Sequence, residues 1–243
     1  MFGIETILLI SGVILLAFLI KGATGFGDGL VAMTLLLLFL DIKVVLPIFL
    51  TVGVFADFYL LYKFKKSIDK KVISRIFIAS IIGAGLGAFF LGLMESKIIT
   101  KIFAVFVVLF ALHYLLGKKK SKKKAKHVKV FGVIAGFFGG LIDTLFSTGG
   151  PPIVIYLNHL RLNKAAFRAT CVATFFIFHV WRLISYSVTG ILKFEHIKIG
   201  IYLIPAMVIG AFIGMKIHSK ISENIFRKAI ATILLISGIL IFF

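Results

Sequence analysis

FSTGGPPIVIYL, residues 146–157, sets two glycines and two prolines in the middle of an otherwise apolar stretch. Glycine weakens a helix interior, and proline removes a donor and collides with the turn before it, so a helix entering this stretch does not run through it. Proline does suit the first turn of a new helix, where its missing N–H is not needed. The stretch therefore predicts a break followed by a short second helix opened by Pro151 and Pro152. An earlier stretch, KGATGFGDGLVAM at 21–33, has the same layout: glycines at 22, 25, 27 and 29, then an apolar run.

Around these breaks the composition is that of a membrane protein. Of 243 residues, 60% are hydrophobic and 15% charged, where a soluble domain carries about 25% charged residues. Apolar runs bounded by charge or glycine give ten segments: 4–20, 29–40, 44–62, 72–94, 98–116, 130–146, 151–160, 165–190, 197–216 and 225–243. Eight are long enough to cross a bilayer. The two that follow the breaks, 29–40 and 151–160, would reach only about 15–18 Å as helices, roughly half the hydrocarbon thickness. The predicted fold is an all-α polytopic membrane protein with about 8–10 transmembrane helices, two of them short or broken. The start, MFGIETILLI, lacks a basic region and a cleavage site and reads as the first membrane segment. The lone Cys171 allows no intrachain disulfide and reads as packing.

The ten segments fall into two sets of five. IIGAGLGAFF (81–90) followed by ESKIITKIFAVFVV (95–108) matches VIGAFIGMKI (208–217) followed by SENIFRKAIATILL (222–235), with Gly83 and Gly87 falling on Gly210 and Gly214 at one offset. Thr24-Gly25 likewise falls near Thr148-Gly149. The expected organisation is a first repeat at 1–117, a polybasic linker at 118–129 and a second repeat at 130–243.

A net charge of +19 raises nucleic acid as a partner, but the lysines and arginines lie in short runs between apolar segments, with no groove of interleaved aromatics, and nucleic acid is set aside. Such runs orient a membrane protein and meet anionic lipid heads. With the N-terminus outside and the segments alternating, the inner stretches 63–75, 117–129, 161–168 and 216–228 hold 21 of the 28 Lys and Arg, while the outer side holds Lys43, Lys97, Lys101, Lys193 and Lys198. This predicts a cell-membrane protein with both termini outside and the Lys-rich loop in the cytoplasm. Each half then has an odd number of crossings, so the second is inverted relative to the first. Inverted repeats with a broken segment in each half mark secondary transporters.

Irregular backbone at membrane depth must be covered by protein or line a wet cavity. Each break precedes a helix N-terminus, whose free N–H groups and partial positive charge favour an anion. The expected substrate contacts are Thr24, Gly25, Phe26 and Gly27 from the first break, and Ser147, Thr148, Gly149, Gly150 and Pro151 from the second. The pairs Gly83/Gly87, Gly136/Gly140 and Gly210/Gly214 read instead as packing glycines that let helices approach closely. These motifs, GATGFGDG near the N-terminus and GGLIDTLFSTGGPPIVIYL after a central loop, resemble the TauE/SafE family of sulfite-exporter-like membrane transporters. The resemblance spans nearly the whole chain and implies transport of small anions, often sulfur-containing: sulfite, thiosulfate or organosulfonates. Asp28 and Asp143 adjoin the motifs, and an ionised acid there would repel the anion.

Ionisable residues inside the membrane are costly and usually functional. Arg182 is expected to be the cationic contact for the anion, with snorkelling to the outer interface as its alternative. Asp57 and His179, placed opposite one another by the repeat register, are the candidate proton carriers. Lys21 adds charge to the cavity or caps the inner end of the first helix, and Trp181 and Tyr186 read as an interface belt. No cofactor or metal is expected. Neither break has the Lys-Ser/Thr ending of a P-loop, and no HExxH, CxxC or evident base near Ser147 suggests an enzyme. The expected function is a secondary transporter of a small anion by alternating access, with possible proton coupling; the alternative is an uncoupled anion channel or facilitator.

Overall fold

The computed structural model describes residues 3–116, 128–160, 162–217 and 223–242, and among these every regular element is helical. The run 118–127 of the polybasic linker and Arg161 lie outside the described residues. The elements are α1 (Ile4–Thr24), α2 (Asp28–Leu36), α3 (Ile42–Phe64), α4 (Lys70–Leu93), α5 (Ser96–Leu116), α6 (Val128–Phe146), α7 (Gly150–His159), α8 (Lys164–Val188), α9 (Phe194–Tyr202), α10 (Ile204–Ile217) and α11 (Glu223–Phe242), with a 3-10 turn at Lys65–Ser67. Helix starts follow the polar residues at apolar boundaries. The Asp41, Asp69 and Asn163 side chains accept hydrogen bonds from the otherwise unpaired first-turn N–H groups of α3, α4 and α8.

Six helices, α1, α3, α4, α5, α6 and α8, are long and apolar enough to cross a membrane. The segment 197–216, expected as one crossing, is two helices: α9 and α10 meet at Leu203 with a bend of 47°, the shape of a broken span or of a re-entrant loop, so six or seven spans stand among the described residues where eight were expected. Pro205, in the first turn of α10, is the cause, because it lacks the N–H that would bond back across the joint. In α11 the apolar stretch is Ala231–Phe242. The short α2 and α7 are where the breaks place them, with 9 and 10 residues. Each folds back against the helix before it, α2 on α1 and α7 on α6.

The main helix pairings are α1 with α10, α4 with α6, α5 with α11, and α8 with both α3 and α4. Two of them depend on glycine. A methyl group on Gly83 would run into the Phe137 carbonyl and one on Gly140 into the Ser80 carbonyl, so α4 and α6 touch backbone to backbone. At the α1–α10 crossing, Gly210 and Gly214 face the carbonyls of Leu15 and Leu19 in the same way, and Gly22 faces that of Ala211. In lipid, where apolar side chains gain little by burial, such close approach is a main source of helix association. The outer surface remains apolar: Ile78, Ile82, Phe89 and Leu93 of α4 are all exposed. Polar side chains gather instead at the centre, around the ends of α1 and α6.

Candidate functional site

Both breaks depend on backbone that ordinary residues resist. At the first, Gly25 (φ 89°) and Gly27 (φ 90°) are left-handed, and the Gly25 N–H closes α1 by donating to the Lys21 carbonyl at 2.7 Å. At the second, the left-handed residue is Ser147 (φ 57°), whose N–H donates to the Asp143 carbonyl at 2.7 Å. The two breaks touch. Gly29, in the first turn of α2, lies so close to the Ser147 carbonyl that no β-carbon fits between them. Beside this contact is a small cavity of about 10 Å³, room for roughly one water molecule. Its wall is the backbone of both breaks with the side chains of Lys21, Asp28, Asp143, Thr148, Phe175 and His179.

A chain of buried charges surrounds the cavity. Lys21, 1% exposed, sets its Nζ 2.9 Å from Asp28 Oδ2 and 2.6 Å from Asp57 Oδ1, with the rings of Phe18 and Phe175 alongside. Asp57 Oδ2 is 2.7 Å from His179 Nδ1, joining α3 to α8. The imidazole fits because position 53, one turn before Asp57, is glycine: a β-carbon there would stand 2.7 Å from His179 Cε1. On the other side, Arg182 Nη1 donates to the Asp143 carbonyl (2.7 Å) and to Ser147 Oγ (2.5 Å), and lies 3.2 Å from Asp143 Oδ2. Asp143 Oδ1 accepts the Gly149 N–H at 3.3 Å. Three carboxylates face two permanent cations and one histidine, so the network carries one excess negative charge while His179 is neutral. Within it Thr148 Oγ1 and the Nε and Nη2 atoms of Arg182 are buried without a protein partner.

Two discontinuous helices meeting about a charged cavity inside an apolar helical bundle are a pattern found in membrane transporters. The family model for the sulfite exporter TauE/SafE matches residues 10–241. The chain belongs to that family. It is therefore a multi-pass membrane protein of an anion-transporter family, and both breaks, with every charged group just described, fall inside the matched region. No curated protein and no solved structure matches the chain.

In this TauE/SafE chain the residues singled out from sequence divide by whether they line the cavity. Gly27, Ser147, Thr148, Gly149, Gly150 and His179 do. Thr24, Gly25, Phe26, Pro151 and Asp57 do not. The Thr24 hydroxyl is engaged with the Phe26 backbone, donating to its carbonyl (2.6 Å) and accepting from its N–H (3.2 Å), which shapes the loop. Phe26 packs near Gly150. Gly149 is right-handed (φ −64°) and serves space, not turning, since its β-carbon would stand 2.6 Å from the Gly139 carbonyl and 2.7 Å from Asp143 Cβ. Arg182 is 0% exposed and neither snorkels nor lines the cavity. Asp143 and Ser147 hold it behind the second break, and the cation at the cavity wall is Lys21.

Tyr186 is no belt residue: it is 0% exposed and its hydroxyl donates to the Thr144 carbonyl beside the break. One turn separates it from Arg182, and that spacing is the signal sequence reasoning passed over. Gly53 was missed as well, although glycine one turn before an intramembrane aspartate is a readable pattern for a neighbouring ring. A further, partly buried cation, Arg168, reaches the Gly22 carbonyl at the end of α1, with its guanidinium 4.5 Å from the Phe64 ring. Cys171 is buried in the core. Among the described residues no group of three or more His, Cys, Asp or Glu side chains could hold a metal ion.

Proposed function

We propose that this chain is a secondary transporter that moves a small sulfur oxyanion, such as sulfite, thiosulfate or an organosulfonate, by alternating access between two inverted halves. The observation that carries the reading is the meeting of the two breaks around one small cavity, with Lys21 from the first half and the backbone of residues 147–150 from the second. An oxyanion there would take the Lys21 ammonium, the Thr148 hydroxyl and the N–H groups that open α7. The water-sized volume fits an occluded state, which must expand to admit an anion, and a standing channel has no need of one.

The repeat reading divides the chain at 1–117, 118–129 and 130–243. It is supported by the pairing of elements, which survives exchange of the halves: α1 on α10 becomes α6 on α4, while α3–α8 and α5–α11 map onto themselves. The excess of Lys and Arg in alternate loops supports outer termini, a cytoplasmic Lys-rich loop facing anionic lipid heads, and residence in the cell membrane. Asp57 and His179 form the proton-carrying pair, since histidine can change charge near neutrality and the pair bridges the two halves.

The test is flux in proteoliposomes. Sulfite or thiosulfate uptake should follow an imposed pH gradient in the wild type, and His179→Gln should still accelerate equilibration of the anion while accumulating less of it against its gradient. Flux in the wild type that ignores the proton gradient would establish the uncoupled facilitator instead. No flux of either anion would remove the substrate class.

A further inference from the structure

We propose that the Asp143 carboxylate is an internal stand-in for the transported anion, occupying the oxyanion position of the second break in the occluded state and leaving it, protonated, when substrate binds. This rests on the transporter reading above and names the event that couples anion to proton.

The surroundings of Asp143 are those of a bound oxyanion. One carboxylate oxygen accepts the N–H of Gly149, the residue that opens α7, and the other faces the Arg182 guanidinium. A planar cation combined with the amide at a helix start is a standard means of holding a small anion. The carboxylate also lines the cavity, 1% exposed, so it stands at the edge of the space an anion would enter. The position has donors to spare: Thr148 Oγ1, which lines the cavity, and Arg182 Nε and Nη2 are buried and unpartnered. A carboxylate with two oxygens cannot satisfy them all, whereas an oxyanion with three oxygens at one centre presents further acceptors. Asp28 repeats the theme at the first break, where its carboxylate sits in the first turn of α2 against Lys21.

The charge balance fixes the coupling. The network of Lys21, Asp28, Asp57, His179, Asp143 and Arg182 carries one excess negative charge while His179 is neutral. Adding a monoanion doubles that excess in a site almost without water, which is strongly unfavourable. If Asp143 takes one proton from bulk water as the anion enters, the total is unchanged, and the neutral carboxyl gives up Arg182 and the Gly149 N–H to the newcomer. An anion of two charges calls for a second proton, which His179 can hold. The groups that face Asp143 are Arg182, His179 and Tyr186 from α8, Lys21 from α1 and Asp28 from α2, with Asp57 of α3 acting through Lys21 and His179. No ionisable side chain of α4 or α7 lines the cavity.

The experiment is calorimetry of thiosulfate binding to the purified full-length protein in buffers of differing ionisation enthalpy, which counts protons taken up per anion. Thiosulfate keeps its charge across the range used. Thiosulfate carries two charges, so the wild type should take up two protons per anion. Asp143→Asn, which removes the competing charge but keeps the shape, should take up one proton fewer and bind about tenfold tighter at mildly alkaline pH. Unchanged uptake in Asp143→Asn, or a wild type that binds with no uptake, overturns the inference and leaves the transporter reading standing. A wild type that binds neither thiosulfate, sulfite nor an organosulfonate overturns both. Should Asp143→Asn fail to give a monodisperse protein, His179→Gln decides: uptake that persists supports Asp143 as the proton acceptor, and uptake that vanishes refutes it.

Discussion

The two breaks do the same structural task with opposite charges. At the first, the helix that stops carries the cation, Lys21 of α1, and the long helix that follows carries the acid, Asp57 of α3. At the second, the stopping helix carries the acid, Asp143 of α6, and the long helix carries the cation, Arg182 of α8. Each half thus pins its broken helix to the long one by a buried ion pair. Asp57 and His179 then join the two pinned units. The backbone differs too: the first break turns at two left-handed glycines, the second at a single left-handed serine whose hydroxyl is held by Arg182. Two breaks of matching layout therefore hold an asymmetric site, with the Lys21 ammonium at the cavity and the Arg182 guanidinium behind the second break.

The largest effects should come from breaking the ion pairs. Lys21→Met leaves Asp28 and Asp57 buried without their cation, and Arg182→Met leaves Asp143 alone, so each should cost about 3–5 kcal/mol of stability, with Lys21→Met the worse of the two. Melting temperatures in detergent test the order, and the comparison fails if Arg182→Met is the more damaging. Adding Asp57→Asn to Lys21→Met should recover part of the loss, because the orphaned charge goes with its partner.

Next comes the contact between the breaks. Gly29→Ala puts a methyl into the Ser147 carbonyl, and the forced separation should cost about 1–3 kcal/mol and most of the transport rate. Wild-type flux in this variant would show that the breaks need not touch.

The smallest effect distinguishes the two backbones. Gly25→Ala meets both a left-handed φ and the Arg168 side chain, at a cost of about 1–2 kcal/mol. Ser147→Gly relaxes the same conformation by up to about 1 kcal/mol and gives most of it back in the lost Arg182 hydrogen bond. Thermal melts should show the first clearly destabilised and the second near wild type.

How much of this was readable in advance depends on the range of the interaction. Segment ends agree closely with the helices because charge, glycine and proline act on their own turn, as at Asp41, Asn163 and Pro151. Pro205 carried the same local signal and bends α9 against α10. It was passed over because the apolar run on either side continues unbroken, and hydropathy does not register a missing N–H. The packing glycines were legible from their spacing of four. Tyr186 was misplaced because helical phase alone does not say what faces it. Arg182 looked like the anion's partner, and only the fold supplies Asp143 as its neighbour.

The sequence by itself determined the helices, the breaks and the presence of charge in the apolar interior, since each follows from local backbone chemistry and from the cost of placing polar groups in hydrocarbon. Tertiary structure decided which charges meet. Lys21 pairs with Asp57 across 36 residues of sequence, and Asp57 with His179 across 122. Such pairings depend on the packing of whole helices, set by glycine contacts such as Gly210 on Leu15 and Gly83 on Phe137, and no window of local sequence contains them.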